Sequence, residues 1–150
     1  MTRRPLPFTL RCMPKPVPLG TRGESETTVE PRHTLAAWKE HLPPVDATPQ
    51  MIGLMEAAAY YALEPFLEGD EVSVGTAINV VHRAPAVVGM KIKAEATLES
   101  FDGRFYTFKV SASNGHEVIG YGTIKRAIVS KSKFEEKQRA KSASAAGSVK

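Results

Sequence analysis

The sequence predicts an α+β fold in which an antiparallel sheet wraps around one long buried helix. Two observations lead to this prediction. Residues 48–63 are apolar on every side of a helix, with Glu56 as the only charge, and such a helix is typically buried. Residues 72–129 then read as strands with one apolar and one polar face, as in an antiparallel sheet that covers a core on one side.

The predicted helix begins with Thr48 as its N-cap. Pro49 suits the first helical position, where a missing N–H costs nothing, and Pro65 ends the helix. Because Pro49 has no N–H, we expect the backbone N–H groups of Gln50 and Met51 to be the first free donors at the positive end of the helix. A developing oxyanion of a substrate is stabilised at such a place.

Four strands are predicted after the helix, over residues 72–83, 90–101, 104–113 and 117–129, and residues 26–29 add a short strand before it. Asp102-Gly103 and Asn114-Gly115 are strong signals for hairpin turns. Gly75 interrupts an otherwise good strand, which indicates either a bulge or the close approach of a ligand or another chain.

The 150 residues suffice for one domain with a well-buried core and are too few for two. Residues 1–23 contain five basic side chains, no acid and several prolines, so we predict a flexible basic arm. Residues 24–136 form the predicted domain. Residues 137–150 are rich in Ala, Ser and Lys without an apolar face, so we predict a disordered tail.

Charge and composition argue against several classes of function. The net charge is +4, but the basic groups concentrate in the two tails, so the predicted domain is acidic. A nucleic-acid-binding module that uses these tails is a weak alternative, because they offer only Phe8 and Phe134 for stacking on bases. No apolar run reaches the roughly 20 residues of a membrane span. We therefore expect neither nucleic acid nor membrane as a partner.

Cysteine and histidine usage gives no sign of a metal site or cofactor. Cys12 is the only cysteine, which excludes an internal disulfide and fits a reducing compartment, so we expect a cytoplasmic protein. His33, His41 and His116 lie in polar, loop-like segments without metal-ligand spacing, and we expect them to be exposed to solvent.

Glu56 is the most informative residue for function. It lies mid-helix on an apolar face. Burying an isolated carboxylate there costs free energy unless a partner compensates its charge or the carboxylate has a function. His82 ends a strand whose same-face residues are mostly apolar, and it gains functional meaning as a partner of Glu56. Thr48 is explained as a helix cap, yet it also lies where an oxyanion would bind. A structural carboxylate paired with histidine or arginine is the alternative for Glu56.

The ordered motifs of residues 26–135 resemble the fluoroacetyl-CoA-thioesterase-like family of the hotdog fold. The motifs are Ala47-Thr48-Pro49, Leu54-Met55-Glu56, Ser73-Val74-Gly75-Thr76, Val81-His82-Arg83-Ala84-Pro85, Asp102-Gly103-Arg104 and Arg126-Ala127-Ile128-Val129. The resemblance implies a homodimer that hydrolyses an acyl-CoA thioester. It also implies that Thr48, Glu56 and His82 are catalytic, with Gly75 near the acyl carbonyl.

The implied activity is hydrolysis of a short or small acyl-CoA to free acid and CoA, and no residue points to a fluorinated acyl group. In the expected mechanism, Thr48 attacks the carbonyl or orients water, His82 carries the proton, and Glu56 holds His82 in the right tautomer. The sequence departs from the family at two places that bear on substrate choice. Ile124-Lys125 replaces a His-Glu pair before Arg126, and Asp46 replaces an apolar residue.

The same residues allow an alternative function. A hotdog protein with these groups could bind acyl-CoA or another small ligand without turning it over.

Thr48 and Glu56 are eight residues apart, or about 12 Å along one helix. This spacing is long for two groups that serve one reacting carbon, so we expect each site to be shared between the two protomers of a dimer.

Overall fold

The computed structural model describes residues 15–148, which form one antiparallel sheet with a long helix packed against it. The sheet has five strands in the order β1-β3-β4-β5-β2. The α+β prediction is confirmed. The elements are β1 (Arg22–Thr28), α1 (Thr48–Leu63), β2 (Glu71–His82), β3 (Lys91–Phe101), β4 (Phe105–Ser113), β5 (Val118–Ser130) and α2 (Lys131–Ser148).

The core lies between α1 and the apolar face of the sheet. The strands supply alternate residues to it, as their period of two requires. On β3, the predicted inward residues Ile92, Ala94, Ala96 and Leu98 are all buried. The helix supplies Met51, Met55, Ala58, Ala59, Ala62 and Leu63. Tyr106, Phe108, Val110, Ile119 and Ile124 complete the layer from β4 and β5.

Only one face of α1 is buried within a single chain, although the sequence predicts burial on every side. Ile52, Ala57 and Tyr60 are half-buried, and Tyr61 is 49% exposed. The sheet covers the helix from one side only, so the apolar residues on the other side remain partly open to solvent.

The prediction that Thr48 caps α1 is wrong. Ala47 is the N-cap, Thr48 is the first helical residue, and no side chain caps the helix. The preceding segment is held by its backbone instead: Asp46 N–H donates to Ala86 O at 2.8 Å, and Ala47 N–H donates to His33 O at 2.9 Å. The Thr48 hydroxyl is therefore available for another contact.

β1 begins four residues earlier than predicted. Gly23 lies in it, inside the segment predicted as a flexible arm, and is buried against α1. Before β1, Gly20 N–H donates to Leu98 O at 2.9 Å, and Val17 packs on the core. Residues 17–23 thus belong to the folded domain. Most of the predicted arm, residues 1–14, lies outside the described residues.

α2 follows β5 directly and includes residues 137–148, for which the sequence predicts disorder. Its side chains up to residue 145 are exposed. Asp70 holds its first turn by accepting hydrogen bonds from the Ser132 hydroxyl, the Ser130 hydroxyl and Ser132 N–H, and these bonds lower the Asp70 pKa to about 2. Across residues 15–148, no helix has the length and hydropathy to cross a membrane.

Gly23→Ala tests the close packing of β1 on α1. A Cβ atom at residue 23 would collide with Ala58 O and lie 2.6 Å from Ala62 N, and neither backbone atom can move cheaply. We expect the free energy of unfolding to fall by about 2–3 kcal/mol. Denaturant titration at fixed protomer concentration measures this change. Ser25→Ala, on the same strand, is the control, and equal stability of both variants would contradict the packing described here.

Candidate functional site

Thr48 and His82 form a direct contact at one end of the sheet. Thr48 Oγ1 lies 2.7 Å from His82 Nδ1. Thr48 is the first residue of α1 and His82 is the last of β2, so the contact joins a helix N-terminus to a strand end. After His82 the chain turns away, held by the Arg83 and Ala84 N–H groups, which both donate to Ile119 O.

A cavity of about 310 Å³ adjoins this pair. Its walls come from the loop before α1 and from the end of β2. The lining residues are Leu35, Val45, Asp46, Thr48, His82, Arg83, Ala84 and Pro85. The cavity therefore combines an apolar rim with a hydroxyl, an imidazole and a carboxyl group, which is typical of a site that binds a small molecule.

Glu56 lies elsewhere on α1, beside Gly75 of β2. A Cβ atom at residue 75 would collide with Glu56 Oε1, so the absence of a side chain at Gly75 makes room for the carboxylate. The register of β2 against β5 shifts between Gly75 and Ala77, so the bulge, one of the two explanations predicted for Gly75, is confirmed. Gly75 and His82 are seven residues apart on one strand, or about 23 Å. Within one protomer, Glu56 therefore does not hold His82, contrary to the expected mechanism.

Arg126 is the cation near Glu56. Its side chain is buried and donates from Nε to Ser73 Oγ at 3.0 Å and from Nη2 to Ser73 O at 2.8 Å. Burial lowers the pKa of Arg126, and the Glu56 carboxylate opposes that shift. No ion pair within 4.0 Å joins the two among residues 15–148, so Glu56 keeps its carboxylate free for another partner.

Gln50 and Met51 do not present free N–H donors. Both backbone N–H groups donate to Ala47 O, at 2.9 and 3.3 Å. The Met51 side chain is fully buried, with its sulfur against Gly120. The N–H of Thr48 is the first-turn donor that has no hydrogen-bond partner in the described part of the chain. Of these first-turn residues, Thr48 lines the cavity and the two predicted residues do not.

Asp46 is the residue of this site that sequence reasoning did not single out as functional. It is 2% exposed, and neither carboxylate oxygen has a hydrogen-bond partner among the described residues. Burial raises its pKa, while His33 and His82 lower it. Its replacement of an apolar family residue was the available signal. His33 is half-buried rather than exposed, and its Nδ1 accepts from Glu30 N–H at 3.0 Å.

Within residues 15–148, no cluster of three or more His, Cys, Asp or Glu side chains could hold a metal ion. The chemistry that the site offers is a hydroxyl in contact with an imidazole base, at the positive end of a helix.

Comparisons with known proteins identify the family of this chain. Residues 29–132 match the family described as fluoroacetyl-CoA-specific thioesterase. A fluoroacetyl-CoA thioesterase of Streptantibioticus cattleyicolor is 44% identical over 99 residues, which are 66% of this chain and 71% of that protein.

Two solved structures extend the comparison to most of the fold. The structure of the fluoroacetyl-CoA thioesterase FlK has a TM-score of 0.79 at 37% identity and covers 85% of this chain and 98% of that one. A thioesterase superfamily member from Thermus thermophilus has a TM-score of 0.80 at 31% identity and covers 88% and 98%. The predicted hotdog fold is confirmed, and the chain belongs to the fluoroacetyl-CoA-specific thioesterase family of thioester hydrolases.

Proposed function

We propose that this protein hydrolyses the thioester bond of a small acyl-CoA, at a site shared by two protomers. The observation that carries the proposal is the 2.7 Å contact between Thr48 Oγ1 and His82 Nδ1 beside a cavity of about 310 Å³. A hydroxyl in contact with an imidazole is the arrangement that activates a nucleophile for acyl transfer.

In the proposed reaction, Thr48 either attacks the thioester carbonyl carbon or holds the water that does so. In both routes a proton passes from the attacking oxygen to His82 as the C–O bond forms. The C–S bond then breaks, and His82 returns the proton to the departing CoA sulfur. If Thr48 attacks, a second step with water releases the acid from the threonine ester. The Thr48 N–H and the helix dipole stabilise the oxyanion.

The free edge of β2 supports a homodimer. β2 lies at one edge of the sheet, and its sequence contains no lysine or proline of the kind that protects exposed edges. Ile78 and Val81 on this strand are 48% and 49% exposed. The half-open apolar face of α1 is a second surface that a further copy of the chain would cover. Both features are typical of an isologous interface.

Pairing of two β2 strands would also complete the site. If two antiparallel β2 strands pair about a twofold axis at Asn79, so that opposite residues share a face, Thr76 of the bulge lies opposite His82 of the partner subunit and Gly75 is next to it. Glu56 is beside Gly75, so its carboxylate would then reach the Thr48–His82 pair of the other protomer. There it accepts a hydrogen bond from the attacking water and holds that water in place while its proton passes to His82.

Glu56→Gln keeps the shape of the side chain and removes its charge. We expect kcat to fall by about a hundredfold or more, as for loss of a charged group that takes part in general acid–base catalysis. Thiol release from acetyl-, propionyl-, butyryl- and fluoroacetyl-CoA measures the rate. Glu64→Gln, an exposed glutamate just after the end of α1, is the matched control and should keep wild-type rates. A fully active Glu56→Gln protein would make Glu56 a structural residue, and a wild type that binds acyl-CoA without releasing thiol would indicate a binding protein.

Thr48→Ser and Thr48→Ala separate the hydroxyl from the rest of the side chain. Serine keeps the hydroxyl, so we expect it to retain activity, whereas alanine should lose about a hundredfold or more. Thr48→Ser keeps the contact with His82 and should leave the midpoint of denaturant unfolding unchanged, whereas Thr48→Ala loses that hydrogen bond and should lower the midpoint slightly. Mass spectrometry of the enzyme quenched during turnover distinguishes the two routes, since only direct attack leaves an acyl group on Thr48. Equal activity of both variants would remove Thr48 from the mechanism.

A mixing experiment tests the shared site. Thr48→Ala and Glu56→Gln proteins, each inactive, are unfolded and refolded together. Random pairing makes half of the dimers mixed, and each mixed dimer has one intact and one doubly altered site, so about a quarter of wild-type activity should return. Differently tagged chains verify that mixed dimers form. If verified mixed dimers stay inactive, Thr48 and Glu56 act within one chain.

A further inference from the structure

Three side-chain atoms in the described part of the chain are buried without a hydrogen-bond partner. They are Oδ1 and Oδ2 of Asp46 and Nε2 of His82. Both residues line the same cavity, next to Thr48. A buried polar atom without a partner costs free energy, and native proteins rarely keep one unless it is used.

The contact with Thr48 determines which ring nitrogen of His82 must carry the proton. If His82 is to remove a proton from Thr48 Oγ1, Nδ1 has to be bare, because the hydroxyl donates to it. A neutral imidazole then has its proton on Nε2. His82 therefore presents a buried Nε2–H donor that needs an acceptor nearby.

Asp46 is a buried carboxylate in the same cavity as His82. No ion pair within the described residues includes it, and His33 and His82 are the two basic side chains that lower its pKa. His33 already uses Nδ1 to accept from Glu30 N–H. The backbone around Asp46 is held on both sides, by Asp46 N–H to Ala86 O and by Ala47 N–H to His33 O, so its Cα atom is fixed beside the cavity.

We propose that Asp46 is a positioning residue for His82 of the same protomer. Its buried negative charge favours the tautomer with the proton on Nε2 and stabilises the imidazolium that forms when His82 accepts a proton on Nδ1. The proposal rests on the thioesterase reaction proposed above, in which His82 is the base. No hydrogen bond joins the two side chains directly, so Asp46 acts on His82 through its field in a poorly solvated place.

Asp46 and Glu56 then have separate tasks. Glu56 is half-buried beside Gly75 and faces the reacting carbon only across a dimer interface, whereas Asp46 lies two residues before Thr48 in the same chain. An apolar residue at position 46 would give His82 no such negative charge.

Asp46→Asn and Asp46→Leu test this role through stability and activity together. We expect kcat for acyl-CoA to fall by about 10–100-fold with KM within about threefold, as for loss of a group that orients a functional histidine. Both variants should unfold at the same or a higher denaturant concentration than the wild type, because an uncompensated buried carboxylate has been removed.

Thr34→Val is the matched control, since Thr34 is also buried, pairs with Asp46 in an isolated β-bridge, and donates from its hydroxyl to Pro31 O at 2.8 Å. It should lose stability and keep kcat. Unchanged kcat in the Asp46 variants, or loss of both stability and kcat, would overturn the proposal.

Imidazole nitrogen chemical shifts test the proposal without any substrate. In the wild type, we expect the His82 spectrum to show a protonated Nε2 and a bare Nδ1, with the signals assigned by comparison with His82→Gln. In Asp46→Leu this preference should weaken or reverse, and in Thr34→Val it should not change. An unchanged His82 tautomer in Asp46→Leu would overturn the proposal even in an active enzyme. If the wild type hydrolyses no acyl-CoA, the proposed function is refuted. The His82 tautomer in Asp46→Leu then still decides whether Asp46 acts on His82.

Discussion

The packing of one face of α1 against the sheet is the constraint on which the site depends. Gly23 lets β1 approach the helix backbone at Ala58, and this contact fixes how far α1 lies along the sheet. With the helix in that place, its first residue meets the end of β2 and its middle meets Gly75. The positions of the two polar groups of α1, Thr48 and Glu56, are thus consequences of core packing rather than of local preferences.

The polar chemistry of this chain is divided between two places. Thr48, His82 and Asp46 line a cavity at one end, while Glu56 and Arg126 lie beside the bulge of β2. A rigid helix and a rigid strand keep the two groups apart within a protomer. In the dimer proposed above, the second protomer buries the apolar residues that remain open on α1 and along the β2 edge, and the same contact brings the two groups together.

Buried polar atoms without a hydrogen-bond partner lower the stability of this fold. Most of the core is apolar and regular, with alternating inward residues on β3 and β4. Among the described residues, the buried side-chain atoms without a hydrogen-bond partner are the carboxylate oxygens of Asp46 and Nε2 of His82, which line the cavity with the Thr48 hydroxyl. A chain that keeps such atoms away from water can use their charge more strongly than an exposed pair could, because the surroundings screen it poorly.

Local signals in the sequence predict the α+β class, the buried helix and the strands with their turns, because periodicity and turn residues act over short stretches of chain. They also predict Thr48, Glu56 and His82 as candidates for the site, since an isolated carboxylate on an apolar helix is visible in the sequence. The tertiary structure decided what depends on distant segments meeting. It placed the Thr48 hydroxyl on His82 instead of on the helix end, because the backbone of Asp46 and Ala47 is held by Ala86 and His33. It also separated Glu56 from His82 and enclosed Asp46, since burial and distance arise only when helix, loop and sheet pack together.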